Sequence, residues 1–419
     1  MERENDKRVQ EIQRLDARES KSAESARHKF NIETKETTYM KKESLHIENF
    51  GPIKNVYIEE IKPFMVFIGE SGSGKSTIIK LIALFRWIYK MMCIRTFLKS
   101  SGIKDTFKFD FGSYLTNNEQ DHFVKKETVL TYTNGSITIT YKGGKLSGSN
   151  ASVPADEISL EKISFIADKR VVIPDMLSNN FSILKGSFYL SESYRDYLLA
   201  TDKFKSLDLP FLKVRWEVQK TSNGQKHYLV SLDEKNPYRI ELTEASSGMQ
   251  ATTSLAVIVE YFAKYYDLIE SINKSILSYA SKSDNWLSFK PVANLGDFKY
   301  RHVSLFIEEP ELSLFPNAQN GLMHFISERC FNGQQDYTLH VLMTSHSPYI
   351  LNYLNVLINE REDSNSAIPA QKVGAYRVID GCIEPLLGIG ERGNAIIDTR
   401  SLSDEIKASF NQYKALTSK

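Results

Sequence analysis

Hydrophobic and polar residues alternate in two short segments after residue 44, LHIENF and VYIEEI, and a continuous apolar run, FMVFI, follows over 64–68. Alternation predicts strands with one buried face, whereas a continuous run predicts a strand that is buried on both faces. The run passes through a glycine-rich loop into the apolar segment IIKLIALFRWIYKMM, which predicts a helix. Strand, loop and helix in this order predict an α/β fold around the loop.

The pattern between residues 107 and 240 is rich in predicted strands. VLTYT and SITITYK flank an Asn-Gly pair at 134–135, and FLKVRWEVQK and KHYLVSL flank a second pair at 223–224. Asn-Gly between alternating segments is a strong signal for a β-hairpin. ISFIAD and VVIP predict two further short strands between the hairpins, and residues 187–206 predict a polar helix.

The second half of the chain alternates between predicted helices and buried strands. A long helix, MQATTSLAVIVEYFAKYYDLI, is predicted after Ser247, and a polar helix follows to about Ser283. VSLFIEE and HVLMTS are continuous apolar runs that predict buried strands. YRVID and GCIEPL predict short strands near the end, before a helix from Ser403.

These changes of pattern predict three parts. We expect a charged arm over 1–43, an α/β head over 44–360, and strands and a helix over 361–419 that complete the head. Within the head we expect a hairpin and helical insertion at about 107–240 and a helical insertion at about 264–300. The arm carries 21 charged residues and indicates a solvated helix rather than a docking arm. The helical insertion is a candidate partner contact, with a solvated helix as the alternative.

Composition narrows the class of protein. The chain has 419 residues, of which 41% are hydrophobic and 25% charged, as in ordinary globular proteins. The net charge of +1 argues against binding nucleic acid through overall charge, although it is compatible with a local basic patch. The three cysteines, Cys93, Cys330 and Cys382, are too far apart for a disulfide framework or a zinc module and fit a reducing compartment.

Neither a membrane span nor a secretory signal is apparent in the sequence. The most apolar run, 78–94, contains three basic residues and is shorter than the roughly 20 residues that a bilayer requires. The first residues, MERENDKRVQ, have no apolar signal core. We therefore expect a soluble, cytoplasmic protein.

The glycine-rich loop satisfies the phosphate-loop pattern GxxxxGK[ST] in full, as GESGSGKS. Its glycines allow backbone N–H groups to face phosphates, and the following helix adds its dipole. A glycine-rich turn without function is the alternative, but the flanking strand and helix favour a nucleotide site. The residues expected to bind nucleotide here are Gly69, Glu70, Ser71, Gly72, Ser73, Gly74, Lys75, Ser76 and Thr77. Lys75 would reach the β- and γ-phosphates and Ser76 would be a ligand of Mg²⁺.

Two further strand ends carry candidate catalytic residues. Glu308 and Glu309 end the run LFIEE, where the first acid is typical of a Mg²⁺ ligand acting through water and the second of a group that orients or deprotonates an attacking water. Glu308 occupies a position where many phosphate-loop enzymes use Asp. His346 follows the next strand and could sense the γ-phosphate, although a lone His is often structural. Ligands of open α/β sheets bind at such strand ends.

Ser246, Ser247 and Gly248 open the long helix and offer hydroxyls, N–H groups and a helix dipole to an anion. Because one phosphate site is already supplied by Lys75, Ser76 and His346, a second anion site is best explained if it closes on the nucleotide of another subunit. Ser is also simply a good N-cap, which is the alternative.

Taken together, these residues resemble the ABC-type ATPase heads of the SMC, RecF and OLD group. LHIENFGPI is similar to their first strand and ASSGMQ to their signature motif, while EEPELSLFP and TSHSP are most similar to OLD-like ATPases. Phe315 departs from the His that this family often carries before the Pro. The resemblance implies an α/β P-loop NTPase head with a mixed central sheet, an antiparallel β subdomain and a helical signature-motif lobe.

The resemblance also implies ATP and Mg²⁺ as cofactors and a homodimer or higher oligomer in which two heads enclose two ATP molecules. One subunit would contribute Lys75, Ser76, Glu308, Glu309 and His346, and the other Ser246, Ser247 and Gly248. Gln120 is the candidate for the family's Q-loop glutamine, which reaches Mg²⁺ or water. Arg170 resembles an arginine that related heads carry between the phosphate loop and the signature motif.

We expect the effector to be a separate protein. The interval between the phosphate loop and ASSGMQ lacks the sustained heptads of a coiled-coil tether, and the 73 residues after His346 are too few for the Toprim nuclease half of OLD proteins. Standalone OLD-like heads resemble ATPase components of bacterial anti-phage systems such as Septu, PARIS or retron cassettes. The resemblance therefore implies an ATP-dependent switch that regulates a nuclease or Toprim-type effector.

Three other functions are alternatives to this switch. A RecF-like DNA-repair clamp would use local basic clusters, such as those at 41–42 and 125–126, to bind nucleic acid. A transporter ATPase subunit is disfavoured by EEPE and TSHSP. A non-catalytic nucleotide sensor is disfavoured by the presence of Glu309 and His346.

Overall fold

The computed structural model of the protein describes residues 41–104, 107, 109–178, 188–222, 224–331, 335–361, 364–391, 393–400 and 404–417. Most of the predicted arm, residues 1–40, lies outside the described residues, as do Asn223 of the second hairpin turn and Ser403.

The described residues form seventeen strands and nine α-helices. The strands are β1 (Glu43–Phe50), β2 (Ile53–Ile58), β3 (Phe64–Ile68), β4 (Val124–Asn134), β5 (Ile137–Lys142), β6 (Lys145–Ser147), β7 (Ser159–Ile166), β8 (Ser206–Leu209), β9 (Val214–Thr221), β10 (Gly224–Ser231), β11 (Arg239–Glu241), β12 (Tyr300–Glu308), β13 (Thr338–Ser345), β14 (Val373–Ile379), β15 (Cys382–Pro385), β16 (Leu387–Ile389) and β17 (Ala395–Ile397). The helices are α1 (Lys75–Ser100), α2 (Phe111–Asn117), α3 (Ile173–Ser178), α4 (Phe188–Lys203), α5 (Ser247–Lys264), α6 (Leu268–Ala280), α7 (Pro316–Phe331), α8 (Pro348–Leu357) and α9 (Asp404–Thr417).

A six-stranded mixed sheet, in the order β15-β14-β3-β13-β12-β7, forms the centre of the fold. Five of its strands are parallel, and only β15 is antiparallel to its neighbour. All five residues of β3 are buried, which confirms the strand predicted from the continuous apolar run. Ser345 pairs with Ile68, and Glu308 pairs with Thr344. The carboxyl ends of β3, β13 and β12 therefore meet at one edge of the sheet.

Two antiparallel sheets flank this centre. The first has the order β2-β1-β4-β5-β6 and the second the order β11-β10-β9-β8. The hairpins β4–β5 and β9–β10 confirm the strands predicted on either side of the two Asn-Gly pairs. A short hairpin, β16–β17, lies near the end of the chain. Around the segment that opens α5, helices α4 and α7 pack against α5 and form a helical lobe. The predicted α/β class, with a mixed central sheet and an antiparallel β subdomain, is confirmed.

Helix α1 is buried along most of its length because it packs with side chains of β1, β2 and β4 on one side and of the central sheet on the other. Its Arg86 is buried and crosses between these layers. Nε and Nη2 of Arg86 donate to the carboxylate of Glu43 on β1 at 2.8 and 2.7 Å, and Nη1 donates to the hydroxyl of Ser304 on β12 at 2.7 Å. Arg86, which interrupts the apolar run of α1, thus connects the antiparallel sheet that contains β1 to the central sheet that contains β12 through hydrogen bonds.

Two local predictions differ from the structure. The strand predicted for VVIP is wrong, because Asp168–Val172 form a 3-10 turn that leads directly into α3. Pro174 lies in the first turn of α3, where its missing N–H needs no partner. The long helix predicted as far as DLI ends instead at Lys264, and Asp267 caps the next helix, α6, by accepting from the N–H of Glu270 at 2.8 Å.

Within the described residues, no helix combines the length and the apolar character that crossing a membrane requires.

Candidate nucleotide-binding site

The loop between β3 and α1 has a backbone that only glycine accommodates at several positions. Gly72 and Gly74 have φ angles of 77° and 108°, in the region that favours glycine. A Cβ atom at Gly69 would lie 2.3 Å from the carbonyl oxygen of Val378 on β14. Gly74 precedes the first residue of α1, so the loop leads directly into the N-terminus of that helix. The positive end of the α1 dipole therefore faces the loop.

The ammonium group of Lys75 lies inside the loop and is hydrogen-bonded to the loop backbone. Its Nζ donates to the carbonyl oxygens of Gly69 and Glu70 at 2.8 and 2.7 Å. Burial lowers the pKa of Lys75, and the nearby carboxylates of Glu309 and Glu311 oppose that shift. The ammonium group is thus fixed at the centre of the loop. A charged phosphate oxygen is a stronger acceptor than the two neutral carbonyl oxygens and would compete with them for this group.

The loop also contains a polar atom that fits a phosphate ligand. The hydroxyl of Ser73 is buried and has no hydrogen-bond partner among the described residues. Buried hydroxyls normally have a partner, so an oxygen atom of a ligand would satisfy this one. Ser76 is half-buried and Thr77 is buried in the first turn of α1. The residues of the loop therefore fit a phosphate group.

Glu308 ends β12 and its side chain is only 6% exposed. One carboxylate oxygen lies 3.4 Å from Nζ of Lys80, and the other accepts from the N–H of Asp168 at 3.5 Å. Lys80 lies four residues after Ser76 and so on the same face of α1. Sequence reasoning did not assign a role to Lys80 or Asp168, although the i, i+4 spacing of Ser76 and Lys80 was a usable signal.

Glu309 and His346 lie close together at the ends of β12 and β13. Nε2 of His346 is 3.2 Å from Oε1 of Glu309, and both side chains are about one-third exposed. Glu309 has a φ angle of 45°, a left-handed conformation that is uncommon for a residue with a Cβ atom. Its N–H donates to the carbonyl oxygen of Thr344 at 3.0 Å. The structure therefore brings both predicted residues together in an accessible position.

Glu311 lies in the EEPE segment, and its role in the site is visible only in the structure. One of its carboxylate oxygens accepts from the backbone N–H of His346 at 2.6 Å and from the hydroxyl of Ser345 at 2.9 Å. The other oxygen is buried and has no partner in the described part of the chain. Glu311 thus fixes the backbone at His346 and leaves one oxygen for a further donor.

Arg170 is fully buried beside the same strand end. Burial lowers the pKa of Arg170 to about 10, against the effect of nearby carboxylates, of which Glu311 is the foremost. The guanidinium is therefore charged at neutral pH. It donates to the carbonyl oxygens of Glu308 and Glu309 at 2.6 and 2.7 Å.

The segment ASSGMQ begins α5, with Ser246 as its N-cap. Ser246 and Ser247 are exposed, whereas Gly248 is packed so closely that an added Cβ would lie 2.4 Å from the carbonyl oxygen of Ser313. Among the described residues, no hydrogen bond or ion pair joins Ser246–Gly248 to residues 69–77. The structure therefore gathers Lys75, Glu308, Glu309 and His346 but does not add the serines to them.

Gln120 is buried, and its side-chain amide has no hydrogen-bond partner in the described residues. Its neighbours at 117–119 line a cleft together with Lys80 and Glu308. No contact in the described residues joins the Gln120 amide itself to Ser76 or Glu308. Its role as the Q-loop glutamine stays a prediction.

The Mg²⁺ ion expected at this site would rely on few protein ligands. In the part of the chain that the structure describes, no group of three or more His, Cys, Asp and Glu side chains is arranged to hold a metal. The candidate ligands, the Ser76 hydroxyl and the Glu308 carboxylate, are oxygen donors, as Mg²⁺ prefers. Mg²⁺ typically completes its coordination with water and phosphate oxygens.

Comparison with known proteins gives one family and a set of solved structures. The model of the family described as "AAA domain" matches residues 44–283. An SMC head bound to the C-terminal winged-helix domain of ScpA shares 13% identity, covers 87% of this chain and 99% of its own, and has a TM-score of 0.32. The SMC head domain from Thermotoga maritima shares 12% identity over 83% and 98%, with a TM-score of 0.30. A nucleotide-free ATP-binding cassette from an ABC transporter shares 12% over 81% and 89%, with a TM-score of 0.28. No curated protein sequence matches the chain.

Proposed function

The chain belongs to the AAA domain family and is of ATPase type, and from this premise we propose that it is an ABC-type ATPase head that binds and hydrolyses ATP between two copies of the chain. We further propose that this cycle is a cytoplasmic switch that regulates a separate effector.

The observation that carries the proposal is the meeting of three predicted groups at one sheet edge. Lys75 follows β3, Glu308 and Glu309 end β12, and His346 follows β13. Lys75 would bind the β- and γ-phosphates, and Glu308 would hold Mg²⁺, which neutralises charge on the phosphates. Glu309, oriented by His346, would position or deprotonate the attacking water.

The position of the ASSGMQ segment supports a site shared between two copies. Ser246 and Ser247 are exposed at the start of an 18-residue helix, where N–H groups and the helix dipole favour an anion. No described bond joins them to their own phosphate loop. In a symmetric homodimer, the phosphate loop of each copy would face the serines of the other copy, so that the serines contact the phosphates of the nucleotide bound there.

The proposed effector is a nuclease or Toprim-type protein of a bacterial anti-phage system. This part rests on the similarity of EEPELSLFP and TSHSP to OLD-like ATPases. It is tested by purifying the protein with the neighbouring gene products present and identifying what remains bound. A nuclease that remains bound supports the proposal, whereas salt-sensitive, ATP-dependent binding of duplex DNA without a protein partner would favour the RecF-like alternative.

The ATPase itself is tested with the purified chain and the variant Lys75→Ala. Lys75→Ala removes one hydrogen bond between a charged ammonium group and a phosphate, which typically contributes roughly 1.5–3 kcal/mol. The affinity for nucleotide should therefore fall about tenfold or more. Lys142→Ala, which removes an exposed lysine of β5, is the matched control and should bind nucleotide as the wild type does. Mg²⁺-dependent phosphate release by the wild type is expected. Equal affinity in both variants would show that the nucleotide does not bind at this loop.

A further inference from the structure

Arg170 makes an unusual set of hydrogen bonds for a buried charge. Each of the four hydrogen bonds that it makes to described residues goes to a backbone carbonyl oxygen: those of Ala167, Glu308, Glu309 and Ala251. Burying a charge is costly unless polar groups compensate it. Here the compensating groups belong to three elements, namely the end of β7, the end of β12 and the start of α5. The planar guanidinium therefore fixes these three elements relative to one another.

The acceptors include the strained backbone of a proposed catalytic residue. Glu309, with φ of 45°, begins a short loop that ends near Ser313, with φ of 57°. Such conformations cost of order 1–3 kcal/mol each and persist only when the surroundings hold them. Inside the loop, the carbonyl oxygen of Glu309 also accepts from the N–H of Leu312 at 3.1 Å. Arg170 thus holds the loop at its beginning.

The other end of this loop is held by the start of α5. Gly248 approaches the carbonyl of Ser313 so closely that no side chain fits between them. Ala251, one turn further along α5, is the residue whose carbonyl oxygen accepts from Nε of Arg170 at 3.2 Å. The loop over 309–314 is therefore attached to the same helix start at both of its ends, once through Arg170 and once directly.

We propose that Arg170 is a positioning residue that couples the start of α5 to Glu309. A contact made by Ser247 with a second copy would shift the first turns of α5. Through Arg170 and through Gly248, that shift would move the backbone that aims Glu309 at His346. This inference rests on the proposed function, in which Ser247 meets another copy and Glu309 acts on water.

The link is tested first in the nucleotide-free protein by hydrogen–deuterium exchange. Arg170→Lys keeps the charge but loses the planar fork, so amide exchange should become faster in 309–314 and in the first turns of α5. Gly248→Ala should produce the same change from the other end of the link. The matched control is Arg95→Lys, since Arg95 is also buried and donates to the carbonyl oxygens of Ser149 and Ala151 away from this edge. Unchanged exchange in both test variants would overturn the proposal.

The second test is a double-mutant cycle on ATP hydrolysis. Arg170→Lys should lower the rate by about 100-fold, as expected for misplacement of a catalytic group by about 1 Å, with nucleotide affinity of the single head within about twofold of wild type. In the Glu309→Gln background the same substitution should have little further effect, because Arg170 acts through Glu309. Additive losses would overturn the proposal. If the wild type does not hydrolyse ATP, the proposed function fails, and the exchange experiment still tests the link by itself.

Discussion

Nε2 of His346 lies 3.2 Å from Oε1 of Glu309, although 36 residues separate them along the chain. The contact exists because β12 and β13 are parallel neighbours whose carboxyl ends coincide, with Glu308 paired to Thr344. Glu311 adds a second connection, since it accepts from the backbone N–H of His346. A carboxylate that faces an imidazole at an accessible strand end is well placed to act on water together with it.

Glu309→Gln should slow hydrolysis strongly without preventing nucleotide binding. The amide keeps the size of the side chain but cannot accept a proton, and a general base typically contributes about 10²–10⁴-fold to the rate. ATP-bound protein should therefore accumulate as a two-copy form. Phosphate release and light scattering of the protein with ATP and Mg²⁺ measure both effects.

The matched control for this experiment is Glu234→Gln, which changes an exposed glutamate in the turn after β10. It should hydrolyse ATP at the wild-type rate and remain sensitive to Mg²⁺. If Glu309→Gln also hydrolyses ATP at the wild-type rate, Glu309 is not the general base.

Ser247→Arg should prevent closure of two copies while leaving each head able to bind nucleotide. Ser247 is exposed at the start of α5, so a long charged side chain fits the single chain but not a tight contact with another. Fluorescent-nucleotide binding should match that of the wild type, and ATP-dependent dimerisation should be lost. Ser278→Arg, on the exposed side of α6, is the control. Normal dimerisation of Ser247→Arg would place the contact surface elsewhere.

Local features of the fold were predictable from the sequence, whereas the connections within the site were not. The strand over 64–68 and both hairpins are determined by residues that are close together in the sequence. An apolar run and two Asn-Gly pairs were therefore sufficient to predict them. The VVIP segment failed because its β-branched residues favour a strand, while Pro174 and the packing of Arg170 place it in a helical turn. Tertiary context overrode propensity there.

In the site, too, the sequence predicts the individual residues but not the contacts between them. Lys75, Glu308, Glu309 and His346 could be selected because each follows a recognisable strand. The partners that orient them could not be selected in this way. Contacts of Arg170 with the end of β12 join residues about 140 positions apart, and those of Glu311 with His346 depend on the register of β12 and β13. Such contacts exist only after the sheet has formed.

Replacing Arg86 with Met should strongly destabilise the fold. The substitution leaves the buried carboxylate of Glu43 without its bidentate partner. Removing one partner of a buried pair typically costs about 3–5 kcal/mol. Urea unfolding measures the free energy. The double variant Arg86→Met with Glu43→Met removes both charges and should lose less stability than the two single variants combined; a purely additive loss would contradict direct coupling of the pair.

Two stacked histidines should make the fold less stable in mild acid. The rings of His302, which is partly buried, and His340, which is buried, stack with centroids 4.7 Å apart. Burial lowers the pKa of His302 to about 4, with a further contribution from Arg86, and burial also lowers the pKa of His340 well below its usual value. In the unfolded chain a histidine has a pKa near 6.5. Both histidines are therefore neutral in the folded protein at a pH where the unfolded chain binds protons.

This difference in bound protons determines the direction in which stability changes with pH. Between the pKa of the folded and of the unfolded state, the unfolded chain binds more protons, so stability rises with pH and is lost as the pH falls below about 6.5. From pH 7 to pH 5 we expect a loss of about 1 to 2 kcal/mol for each histidine. His340→Leu should reduce the slope of stability against pH, whereas His122→Leu, at an exposed position, should leave it unchanged. Urea unfolding at pH 5, 6, 7 and 8 measures the slopes, and equal slopes for wild type and His340→Leu would rule out His340 as a source of the acid sensitivity.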